Sequence, residues 1–138
     1  MKSEYFVRAI LFVAGLAAAI VGIGIALAPD VFYASYQMLL PDGATVRSEL
    51  RGIGGFLAVS GITIFSGAVW LSQRAFALRL GILLNGGIVL GRLLSFAVDG
   101  TPSLPMLSAW TFEVATFVLL LGAVALNSTS QNKNLRAA

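Results

Sequence analysis

From Ala9 to Ala28 the chain carries no charged side chain. About 20 apolar residues in a row cross a bilayer as a helix. In hydrocarbon each backbone N–H and C=O must be paired internally, and within a single segment only the helix achieves that. The segment also has features of a signal peptide: Lys2 and Arg8 lead it, and Ala26-Leu27-Ala28 resembles a cleavage motif. Its apolar run exceeds the usual signal core of about 7–15 residues, and Pro29 follows the candidate cut. It is read as a retained first span, residues 6–28.

Three more spans follow, at residues 44–71, 75–98 and 104–126. Pro41-Asp42-Gly43 marks a turn before the second span, and Asp99-Gly100-Thr101-Pro102 a turn before the fourth. Pro105 suits the first turn of a helix. Between the first two spans, residues 29–43 include an aromatic stretch too short to cross, with Tyr33 and Tyr36 suited to the headgroup level. Two readings stand for it: an interfacial loop lying on the membrane, or a lid over a pocket. Residues 127–138 form a polar tail, expected to fray. The expectation is one integral membrane domain, an all-α four-helix transmembrane bundle.

Composition agrees. Charged residues make up 11% of the chain, against about a quarter in soluble domains, so lipid must cover much of the surface. The net charge of +3 comes from sparse residues at segment ends, a pattern of membrane orientation rather than of a nucleic-acid partner. With four spans, one side holds Lys2, Arg8, Arg74, Arg79, Lys133 and Arg136 against Glu4. The other holds Arg47, Arg51 and Arg92 against Asp30, Asp42, Glu49, Asp99 and Glu113. The positive-inside rule then puts both termini in the cytoplasm. The absence of cysteine and histidine removes disulfides, thiol chemistry, histidine ligation and histidine-based triads. No metal or other cofactor is expected.

The stretch from Asn85 to Gly100 is apolar yet contains Arg92 and ends on Asp99. An ionisable residue at membrane depth is a functional-site hypothesis with a partner to be named. Arg92 precedes Asp99 by about 10 Å of helical rise, and Glu113 follows Pro105 by about 12 Å, so the two share a depth. Glu49 and Arg51 lie within about two turns of the start of the second span. A net-neutral network of Glu49, Arg51, Arg92 and Glu113 is therefore geometrically open. Asp99, Ser95 and Thr111 are candidates for supporting hydrogen bonds, and Asn85 falls two turns deeper on the face of Arg92. The network reads either as a pocket for a lipid headgroup, quinone-like ring or small anion, or as an ion-pair clamp between helices. Trp70 and Trp110 are expected as interface anchors.

No catalytic set emerges. Gly52-Ile53-Gly54-Gly55 follows no strand and is a closely packed helix start rather than a phosphate cradle. Small residues recur on Gly15, Ala18, Ala19, Gly22 and Ala26, on Gly54, Ala58 and Gly61, and on Gly87, Gly91 and Ser95. Such faces let helix backbones approach closely in lipid. Packing within the bundle and a dimer face both use them.

Glu49-Leu50-Arg51-Gly52-Ile53-Gly54-Gly55, then Gly91-Arg92-Leu93-Leu94-Ser95 with Asp99-Gly100-Thr101-Pro102 and Glu113, resemble a family of small bacterial membrane proteins. That family is catalogued as domain of unknown function 4345. The resemblance covers about residues 8–126. It implies four transmembrane helices and a bacterial inner-membrane setting, and brings no activity with it. In topology it is distantly similar to the DoxX-like group. The expected function is non-enzymatic: a polar arginine–glutamate site near the outer leaflet that binds a lipid, quinone or other amphiphile. Alternatives are an accessory subunit with a membrane-protein partner, a homo-oligomer, or a transporter or membrane enzyme.

Overall fold

The computed structural model describes the backbone of residues 2–137 and the side chains of residues 3–126. Four long helices, α1 (Lys2–Leu27), α3 (Ala44–Val69), α4 (Arg74–Asp99) and α5 (Leu104–Ala137), form the bundle. A short helix α2 (Pro29–Ala34) lies between the first two. All four long helices are long and apolar enough to cross a membrane. The chain is a multi-pass membrane protein by that measure.

The ends of the elements follow from local chemistry. Pro29 sits in the first turn of α2, where its missing N–H is harmless. α3 stops at Val69 because Trp70 turns to an extended conformation, and Leu71–Gln73 form one 3-10 turn. α4 ends at Gly100, whose φ of 90° suits glycine. Residues 29–43, expected as an irregular loop, instead spend their first part in α2. α5 does not end near Leu126, since its backbone stays helical to Ala137. No glycine or proline follows Gly122 to break it. The tail side chains, Lys133 and Arg136 among them, lie outside the described residues.

α1 and α3 pack most closely. A Cβ at Gly22 would run into the backbone of Ala58 and Gly54, and one at Gly15 into Phe65 and Gly61. Glycine thus faces glycine across an antiparallel seam, which small residues favour in lipid. Each helix also supplies an arginine to the other's last turn. Arg8 Nε donates to the Ala68 carbonyl at 3.0 Å, and Arg51 Nη1 donates to the Ala26 carbonyl at 2.8 Å. These carbonyls are among those a helix leaves unpaired at its C-terminal end. α4 then lies against α3, with Ala77 over Gly67, and α5 lies against α4, with Leu120 over Gly81. α5 returns to α1 and closes the ring.

The core is lopsided. Leu11, Ile64, Leu78 and Leu120 are fully buried together with Val7, Ala68, Ala77 and Ala123. All lie toward the end where α1 begins and α3 ends. The half toward α2 is filled differently, and the candidate site lies there.

Candidate functional site

Small alanines on α1 leave room between α1, α4 and α5 that the aliphatic core does not fill. The result is a cavity of about 330 Å³, lined by Ala14, Ala17 and Ala18 of α1, and by Asn85, Ile88 and Arg92 of α4. Met106, Ala109, Phe112 and Glu113 of α5 complete the wall, and Leu57 of α3 touches it. At the other end Phe32, Tyr33 and Tyr36 form its roof. Three aromatic residues of the 29–43 segment thus pack against the bundle at this pocket. The Phe32 ring lies over Gly24 and stacks edge-on against Tyr33 and tilted against Tyr36. Burial pushes the Tyr33 phenol's pKa up, so the hydroxyl stays protonated.

Arg92 and Glu113 meet inside this cavity. Arg92 Nη2 donates to Glu113 Oε1 at 2.9 Å, and Arg92 Nε lies 2.6 Å from Oε2 in a bent geometry. The carboxylate is thus held by two guanidinium nitrogens, an arrangement the planar arginine fork suits. The turn at residues 100–103 makes α4 and α5 antiparallel neighbours, which puts positions of equal depth side by side. The remaining Arg92 nitrogen, Nη1, donates to the Met106 thioether, a weak acceptor. Asn85 lies deeper in the same cavity and donates to the Gly81 carbonyl at 2.9 Å. Thr116, level with it on α5, donates to the Phe112 carbonyl.

The four-charge network does not form. Arg51 turns away to the end of α1, and Glu49 is exposed and makes no ion pair among the described residues. Both sit in the first turns of α3, the helix that reaches the cavity only through Leu57. Ser95 and Asp99 bond each other at 3.0 Å on the exposed side of α4, and Thr111 bonds its own helix at the Leu107 carbonyl. None of these three supports the Arg92–Glu113 pair. Trp110, expected as an interface anchor, lies near the start of α5. It is partly buried and packs edge-on against Phe96, with ring centroids 4.9 Å apart. Trp70, at the end of α3, is exposed as an anchor would be.

Sequence reasoning missed the role of Arg47. It bonds Asp30 at 3.1 Å through two nitrogens and Asp42 at 3.4 Å, and so ties both ends of the roof to the start of α3. Ser103, in the α4–α5 turn, fastens the middle by donating to the Tyr36 carbonyl at 3.2 Å. The Arg47 hydrogen bonds hold the Asp30 carboxyl below its ordinary 3.8. A carboxyl lowered in this way stabilises the latched form fully above its ordinary value, and the contribution is lost as pH falls through the lowered one. The roof is therefore expected to stay latched at pH 5 and to loosen below about pH 4. Amide exchange at residues 31–38, corrected for the intrinsic rate, should rise over that interval. Asp30→Asn should show the faster exchange already at pH 5; equal exchange in both proteins at both pH values would remove the latch.

Comparison with known proteins gives one match. The family model described as "Domain of unknown function (DUF4345)" covers residues 6–124. No curated protein and no solved structure matches the chain. The match takes in all four spans, the roof, and both Arg92 and Glu113, and the chain belongs to this family of unknown function.

Proposed function

We propose that the chain is an inner-membrane protein, with both termini in the cytoplasm, that holds an amphiphile in the roofed cavity. Its polar head lies at Arg92 and Glu113, and the 29–43 segment is the lid. One observation supports this above the rest: a pocket of about 330 Å³ opens between α1, α4 and α5 in the half toward α2, with a charged pair in its wall beside the roof. A bundle that needed only stability would fill that half with side chains. The volume falls at the low end of ligand pockets, which run from about 300 to 1,000 Å³. The basic excess at the terminal side supports the orientation, and a cytoplasm-active reporter fused after Ala138 tests it; activity of a periplasm-active one there would reverse it.

The test of binding is native mass spectrometry of the full chain released from mild detergent. The wild type is expected to carry an amphiphile, or to take one up from lipid extract. Ala109→Trp, which puts an indole into the cavity wall, should remove it while circular dichroism stays helical. A wild type that neither retains nor takes up any amphiphile would end the proposal.

A second reading has its own support. The Arg92–Glu113 pair bridges α4 and α5 without a ligand, so it can act as a clamp between them.

A further inference from the structure

Resting on the reading just given, the geometry points to a ligand class: we infer that the cavity takes a single-chain amphiphile whose head is uncharged and carries a hydrogen-bond acceptor, such as an ester or ketone carbonyl. Charge makes the first part of the argument. The cavity wall holds one cation and one anion, Arg92 and Glu113, already paired through two contacts. An anionic head would arrive beside Glu113 with its own charge uncompensated, and a cationic head beside Arg92 likewise. Burying such a charge without a partner is strongly disfavoured.

Hydrogen bonding supplies the second part. Arg92 Nη1 lies against the Met106 sulfur and has no oxygen acceptor among the described residues. A thioether is among the weakest acceptors a side chain offers, and charge-assisted bonds to oxygen are much stronger. A carbonyl oxygen that displaces the sulfur therefore improves this donor's partner and leaves the ion pair intact. Methionine's flexible side chain can give way at low cost.

Shape supplies the third part. Along α1 the lining runs from Ala14 to Ile25, about 16 Å of helical rise. At about 330 Å³ the pocket lies at the low end of ligand pockets, with room for one tail rather than two. At the deep end Asn85 and Thr116 each donate one hydrogen bond to a carbonyl of their own helix.

The experiment uses the full chain in nanodiscs at pH 7, titrated with three probes: methyl tetradecanoate, tetradecanoic acid and a lysophosphatidylethanolamine. The ester is expected to bind at least about tenfold more tightly than the acid. Glu113→Gln removes the anion and leaves Arg92 charged, so it should reverse that order and favour the acid by at least about tenfold. Tighter binding of the acid by the wild type would overturn the inference. So would tightest binding of the zwitterion, which would mean that the ion pair opens around its ligand. The wild-type comparison needs no variant, so it stands even where Glu113→Gln fails to fold. Binding of none of the three, with no other amphiphile retained, would count against the proposed function itself.

Discussion

Arg92→Ala is expected to lower the stability of the bundle by about 3–5 kcal/mol, because it leaves a carboxylate in a mostly apolar cavity with no cation beside it. The Glu113 side chain is 18% exposed and lines the cavity. The only strong donors at Glu113 among the described residues are those of Arg92. Glu113→Ala should cost a similar amount by stranding the guanidinium. Arg92→Ala combined with Glu113→Ala removes both charges at once, and should cost much less than the sum of the two single changes, as a coupled pair does in a double-mutant cycle. Reversible unfolding in mixed micelles, followed by circular dichroism, reads all four proteins. The coupling disappears if the single and double changes simply add. The double variant also separates the two readings of the pair. A stable double variant that no longer carries an amphiphile makes the pair a binding device; one that still carries it makes the pair a clamp.

This pair was legible in the sequence for a physical reason. A tight turn fixes the relative height of two consecutive helices, so counting from Asp99–Pro102 places Arg92 and Glu113 at one level. Asn85 was legible in the same way, since seven residues return a helix to nearly the same face. Glu49 and Arg51 have no such ruler. They are linked to α4 only through a longer path, and two competing partners were invisible beforehand: the bare carbonyls at the end of α1 took Arg51, and the aspartates of the roof took Arg47 in their neighbourhood. The roof was half legible. Its aromatic residues marked a membrane-level segment, but an aromatic ring suits the headgroup layer and a cavity mouth equally well. In the structure the Phe32 ring packs over Gly24 and lines the pocket.

The spans themselves were legible because their apolar length leaves no other structure possible in lipid. Their ends were less so. The continuation of α5 past Leu126 reflects a polar stretch with ordinary helix propensity and no breaker, a case in which hydropathy marks the end of the membrane segment and not of the helix. The lopsided core could not be read at all. Alanines at 14, 17 and 18 are equally consistent with tight packing and with a cavity wall, and the choice depends on the size of what faces them across the bundle.

The small-residue faces carry the other large expected effect. Gly22→Leu, and independently Gly61→Leu, should separate α1 from α3 and cost more than about 3 kcal/mol, at or beyond the usual range for overpacking. The reason is that the added carbon meets backbone, not a movable side chain: Ala58 and Gly54 in the first case, Ala19 and Gly15 in the second. Moving the helices apart also breaks the two arginine contacts to the opposite carbonyls, since Arg8 and Arg51 reach across this same seam. The third face behaves differently. A Cβ at Gly87 or Gly91 meets nothing within 4 Å, so α4 turns that face outward. Gly87→Ala should therefore leave the fold intact and gain up to about 1 kcal/mol from helix propensity alone. Thermal unfolding of the three variants in one detergent makes the comparison. Equal losses at Gly22, Gly61 and Gly87 would mean that backbone approach between α1 and α3 does not hold the bundle together.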